Sequence, residues 1–194
     1  MKALLILLFA VNFTAVHSQS SSSFLLGKKQ YQEENYEEAI KHFTAAAIEE
    51  PTNAQVPYFA GRAYLDISNY KQAAVFLEKA ISMDSLKSNW IYECGLVYYA
   101  IPDYTRSLLF IELAGARGYK KTSDYLENLA SAYLNTKQFD KAAGVLQEVS
   151  ERKPSDKEVM YQLAQAYFSG GKYQKAIDTW DQQFGLDKND AGVL

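Results

Sequence analysis

Few residues of this chain are spaced to make or break covalent bonds. There are two histidines and one cysteine among 194 residues. His17 falls in an apolar leader, which leaves His42, and no Ser-His-Asp or Cys-His set can be built around it. Cys94 stands between Glu93 and Gly95. A reactive thiolate needs an accessible, electropositive setting, so Cys94 reads as a small core residue. No HExxH, CxxC or clustered-aspartate pattern points to a metal, and no phosphate-binding glycine loop is present. Gly170 and Gly171 belong to a turn. Carboxylate runs such as Glu33-Glu34 and Glu37-Glu38 read as solvated helix faces. The chain therefore reads as a non-enzyme, with no cofactor and no metal.

The chemistry it does offer is that of recognition, through 15 tyrosines. Eight of them follow from one repeated pattern. Gly61, Tyr64, Tyr70, Ala73, Leu77 and Ala80 set a skeleton: small, aromatic, aromatic, alanine, large apolar, alanine. It fits two short amphipathic helices joined at Ser68-Asn69. Gly27, Tyr36, Ala39, Phe43 and Ala46 give the first copy, in which Gln30 departs from the first aromatic. Gly95, Tyr98, Tyr104, Ser107, Ile111 and Ala114 give the third. Ala130, Tyr133, Phe139, Ala142, Leu146 and Val149 give the fourth, and Ala164, Tyr167, Tyr173, Ala176, Trp180 and Gln183 the fifth. One helix pair cannot bury its own apolar face, so the pairs must stack.

A helix-turn-helix unit with a period of 34 resembles the tetratricopeptide repeat. The resemblance implies an all-α fold, a right-handed α-solenoid. Its five repeats would span about 20–53, 54–87, 88–122, 123–156 and 157–190, with 191–194 as the start of a sixth. Pro51 and Pro154 stand where this family ends its second helix. One step is 35, and the extra residue falls near Gly115–Lys121, so a longer turn is expected there. Pro102 is expected to stiffen the turn of the third repeat and fix the start of its second helix.

The resemblance also implies a concave groove, lined by first helices, that holds a partner peptide or protein. Helical spacing then picks the groove candidates. They are Lys28, Tyr31, Tyr58, Phe59, Arg62, Tyr92 and Glu93, followed by Tyr99, Glu127, Asn128, Tyr161, Gln165 and Phe168. The skeleton does not require the tyrosines among these, and tyrosine suits a recognition surface. The alternative is that the rings pack against neighbouring first helices. The family's clamp for acidic chaperone tails is not matched, since Phe24, Lys28, Phe59, Asn89 and Glu93 offer only one cation.

Residues 1–18 carry Lys2, the apolar run ALLILLFAV and a more polar end. This reads as a secretory signal peptide, too short for the ~20 residues of a membrane span. An exported, periplasmic or secreted protein follows. The net charge is −3 and the isoelectric point near 5.5. No basic stripe marks a nucleic-acid binder; Arg117, Lys120 and Lys121 read as a solvated turn. At the other end Tyr173, Trp180 and Phe184 have no following repeat to cover them. Either the array continues beyond this sequence or they form a docking edge for another protein or a second copy. Structural oligomerisation through that edge, and glycan binding by the groove, are the alternatives to partner binding. If residues 1–18 are an export signal, mass spectrometry of the exported protein will show an N-terminus at Gln19; an intact Met1 refutes it.

Overall fold

The computed structural model describes residues 21–191, with side chains through residue 185. Among the described residues there are ten helices and no strands. They are α1 (Ser22–Gln32), α2 (Tyr36–Glu49), α3 (Gln55–Asp66), α4 (Tyr70–Met83), α5 (Ser88–Ala100), α6 (Tyr104–Ala116), α7 (Ser123–Asn135), α8 (Phe139–Arg152), α9 (Lys157–Ser169) and α10 (Tyr173–Ala191). Consecutive helices pack as antiparallel pairs, and each pair stacks on the one before, giving an α-solenoid.

The small residue of the skeleton sets the spacing within each pair. A Cβ built on Gly61 would stand 3.0 Å from Leu77 Cγ, 3.2 Å from Leu77 N and 3.3 Å from Ala73 O. At Gly95 it would stand 2.8 Å from Ile111 Cγ1 and 3.1 Å from Ile111 N. Glycine in a helix costs ~1 kcal/mol relative to alanine. Close backbone approach to the partner helix offsets that cost. The skeleton alanines 39, 73, 142 and 176 are fully buried. So is Ser107, their equivalent in α6, whose Oγ has no hydrogen-bond partner.

Each pair turns through a three-residue connection whose middle residue is left-handed: Glu34, Ser68, Pro102, Lys137 and Gly171. Only the last is a glycine. Pro102 lies in the turn of the third pair, between α5 and α6. The start of α6 is capped by Asp103, whose side chain accepts from the Arg106 N–H at 3.1 Å. Ser21, Asn69, Thr122 and Asp156 cap α1, α4, α7 and α9 in the same way.

The connection from α6 to α7 (117–122) is the longest between pairs, as the extra residue predicts. Gly115 in α6 leaves room for the Tyr125 hydroxyl, which donates to Ile111 O at 3.0 Å. α10 has 19 residues, against 13 or 14 in α2, α4, α6 and α8. It runs without a turn to Ala191, and residues 192–194 lie outside the described residues. The leader 1–18 lies outside the described residues. No helix among the described residues is long and apolar enough to cross a membrane.

Two substitutions test the packing in opposite directions. Gly61→Leu overfills the α3–α4 contact and is expected to cost ~1–3 kcal/mol. Ser107→Ala removes an unsatisfied buried hydroxyl and is expected to gain ~1 kcal/mol. Thermal unfolding followed by circular dichroism reads both; a Gly61→Leu melting point at or above wild type refutes the assigned contact.

Candidate functional site

The first helices α1, α3, α5, α7 and α9 lie side by side, and the groove candidates fall on them. The structure divides these candidates into two groups. Tyr58 and Tyr92 are each only 7% exposed. Tyr58 stacks on Trp90 of α5, ring centroids 4.4 Å apart, and its hydroxyl donates to Glu93 Oε1 at 3.0 Å. Tyr92 stacks on Tyr119 at 4.3 Å and accepts from Asn128 Nδ2 at 2.8 Å. Tyr31 donates to Asp66 Oδ2 at 2.6 Å, and Tyr99 accepts from Asn135 Nδ2 at 3.2 Å. Each of these bonds joins one pair to the next. Phe59 lies among the rings of Phe24, Tyr31, Phe43 and Tyr58.

The expectation of an open tyrosine groove is thus corrected. Tyr58, Phe59, Tyr92, Glu93 and Asn128 are parts of the joints between pairs: Tyr58 and Tyr92 are covered by the next first helix, whose Glu93 and Asn128 reach back to them, and Phe59 packs against Phe24 and Phe43 of the pair before. A second set of tyrosines clips α5, α7 and α9 to the second helix before each. Tyr98 donates to Glu78 at 2.6 Å, Tyr133 to Glu112 at 2.5 Å and Tyr167 to Gln147 at 3.5 Å. The downstream partners, Asp66, Glu93, Asn128 and Asn135, are the signal in the sequence that could have revealed the joints.

What stays open is a narrower strip. Lys28 Nζ stands 5.2 Å from the Phe59 ring centroid and 5.7 Å from that of Phe24. The Arg62 guanidinium is 5.9 Å from the Tyr31 ring. Leu96 and Ser131 are half-buried, and Tyr99 and Gln165 are exposed. At the far end Tyr161 is 47% and Phe168 53% exposed. Glu127 is held by Lys153 at 2.6 Å. Glu93 Oε2 is enclosed without a partner, and burial raises its carboxyl pKa against the opposing pull of Arg62 and the Tyr58 hydroxyl. Neither Glu93 nor Glu127 is therefore a free charge on the groove.

The remaining features have structural employment. Burial pushes the Cys94 thiol up, consistent with a core residue. His42 is half-buried, 4.0 Å from Glu38. Arg117 donates to Ser85 O at 3.2 Å and Arg152 to Lys121 O at 2.8 Å, so the basic turn is tied into the scaffold. At the carboxyl-terminal edge Tyr173 and Phe184 are 60% and 59% exposed, whereas Trp180 is half-buried, 5.9 Å from the Phe168 ring. No group of three His, Cys, Asp or Glu among the described residues could hold a metal ion.

Comparison with known proteins agrees with this architecture. Residues 127–191 match the profile of the tetratricopeptide repeat, and residues 7–80 match that of the anaphase-promoting complex, cyclosome, subunit 3. The second match begins inside the leader. No curated protein matches the sequence. Among solved structures, the crystal structure of MamA protein is similar with a TM-score of 0.73 and 19% identity, over 88% of this chain and 92% of that one. YrrB, described as a tetratricopeptide protein with an unusual peptide-binding site, gives 0.75 and 18%, over 87% and 86%. MamA from Desulfovibrio magneticus RS-1 gives 0.71 and 17%, over 88% and 98%. At these identities the likeness is one of fold, a tetratricopeptide-type α-solenoid.

The enclosed Glu93 gives a pH test. A carboxyl whose pKa is raised by folding favours the protonated folded state, so its contribution to stability improves as pH falls toward the unfolded carboxyl value, ~4.3. Glu93→Gln is expected to melt higher than wild type at pH 7, with the gap closing as pH is lowered to ~4.5. A gap that is constant or widens on acidification contradicts the placement of Glu93.

Proposed function

We propose that the protein is an exported scaffold that binds a peptide segment or a neighbouring protein on its concave face, in the manner of an envelope-assembly adaptor. The supporting observation is the strip of first-helix residues left open by the joints, with two cations at its amino-terminal end. Lys28 and Arg62 rest on ring faces, where an incoming carboxylate can meet them. Glu127 is already neutralised by Lys153. A bound segment would thus set its acidic part over α1 and α3 and its apolar part beside Leu96 and Tyr99. The peptide-binding site for which YrrB is described accords with this class of role. Glycan binding, the alternative, would have to rest on Tyr99, Tyr161 and Phe168, since Tyr58 and Tyr92 are buried.

A tethered-protein pull-down from envelope extract, with wild type and Lys28→Glu/Arg62→Gln side by side, tests the reading. Both positions lie on the open strip, so helical content should be kept. Recovery of the partner should fall roughly tenfold or more, and wild-type binding should weaken with salt. Equal recovery by the two proteins places the function elsewhere.

A further inference from the structure

The cationic end of the strip is built on one triangle of residues that recurs with different charges. In the first pair, Lys28 of α1 stands over the ring of Phe24, one turn before it, and over that of Phe59 from α3, at 5.7 and 5.2 Å. Phe24 and Phe59 meet each other at 5.9 Å. One repeat on, the same three positions hold Tyr58, Arg62 and Glu93. The cation is kept, a phenol stands for the first ring and a carboxyl for the second. Tyr58 and Glu93 meet as Phe24 and Phe59 do, here through the hydrogen bond of 3.0 Å from the Tyr58 hydroxyl to Glu93 Oε1. After one more repeat the triangle is Tyr92, Leu96 and Asn128, and the charges are gone.

Glu93 is thus an ionisable group set against a cation of the strip. From α3 it meets Arg62 and the Tyr58 hydroxyl. From the connection 117–122 it meets Tyr119, whose ring stacks on Tyr92. From α7, Asp124 faces Tyr92 and Tyr119, and Asn128 bonds Tyr92. Burial pushes the phenols of Tyr58, Tyr92 and Tyr119 up, so they stay neutral. The half-buried Arg62 guanidinium is a permanent cation. Glu93 Oε2 is enclosed with no hydrogen-bond partner. Burial moves protonation of this carboxyl above its ordinary value, ~4.3, while Arg62 and the Tyr58 hydroxyl act the other way. An exposed aspartate on a partner, at ~3.9, keeps its charge below that point. There is therefore a span of pH in which Glu93 is neutral and the partner is still an anion.

We propose that Glu93 is the internal counter-charge of Arg62, and that protonation of Glu93 switches the concave strip to a form that takes an acidic segment more tightly. This regulation presupposes that the strip is the binding site. With Glu93 ionised, the guanidinium is shared between an internal and an incoming carboxylate, and the two anions repel. With Glu93 protonated, its carboxyl still accepts from the Tyr58 hydroxyl, and Arg62 is left to the partner. Lys28 has a ring where Arg62 has Glu93, so its attraction does not follow pH. Linkage makes the effect reciprocal: an acidic segment bound at Arg62 draws a proton onto Glu93. Affinity is gained as pH falls through the Glu93 midpoint and lost as pH rises through it.

Titration calorimetry of the 194-residue protein with a capped synthetic peptide of aspartates followed by leucines, from pH ~8 to ~5, tests this. Wild type should bind roughly fivefold more tightly at the acid end, and take up protons on binding, read as a dependence of the heat on the buffer. Glu93→Gln keeps an acceptor for Tyr58 and should bind at the tighter level throughout, without proton uptake. Carbon NMR of the Glu93 carboxyl, with no peptide present, should show its midpoint move up in Arg62→Gln, because the cation that favours its charged form is gone. An unmoved midpoint overturns the proposal whether or not the peptide binds. The same pH response in wild type and Glu93→Gln also overturns it, by giving the response to another group such as His42, and leaves the strip as the binding site. Peptide bound by neither protein at any pH overturns the strip as the binding site, and the proposal with it.

Discussion

The structure depends on the joint between one helix pair and the next. A solenoid has no contacts between distant parts of the chain that could make up for a weak neighbour interface. Here the joint is an aromatic ring near the start of each of the first three first helices, laid flat or edgewise under the helix that follows. Phe24 meets Phe59 at 5.9 Å, Tyr58 meets Trp90 at 4.4 Å and Tyr92 meets Tyr125 at 5.6 Å. Rings bury large areas with little loss of rotamer freedom. Where the ring is tyrosine, burial obliges its hydroxyl to find a partner. The neighbouring helix supplies Glu93 or Asn128, and register is fixed along with affinity.

The skeleton was legible because it packs within a pair. Gly61 against Leu77 and Gly95 against Ile111 are separated by a constant 16 positions, so a fixed period carries the whole contact. The joints were harder to read for a geometric reason. Helical spacing says which residues share a side of a helix, but not what covers that side. Tyr58 and Arg62 point the same general way, yet one is buried by α5 and the other is left half-open. The missing information was a second correlation: the surplus tyrosines 31, 58, 92 and 99 each have an Asp, Glu or Asn 35 or 36 residues later.

The same geometry explains why the open strip is small. Tyr58 and Tyr92, buried in the joints, are withdrawn from recognition, and what remains beside the exposed rings of Tyr99, Tyr161 and Phe168 are the positions one residue after the small residue: Lys28, Arg62, Leu96, Ser131 and Gln165. These run from cationic through apolar to neutral polar, so the strip has direction even though its acidic residues are paired or enclosed. Because the joints hold the first helices in register, the strip is preorganised, and a partner loses little free energy in ordering it.

The joints also differ in strength along the chain. The junction of the third and fourth pairs has four hydroxyl bonds, from Tyr92, Tyr99, Tyr125 and Tyr133. The junction of the fourth and fifth has one long one, Tyr167 to Gln147 at 3.5 Å, and Glu127 stands where the earlier pairs carry a ring. The last junction carries an ion pair instead, Lys172 to Asp140 at 2.8 Å. Side-chain bonding along the array thus passes from buried hydroxyls to an exposed pair of charges, and in an array stabilised by nearest neighbours that contribution at the last junction weakens as salt rises.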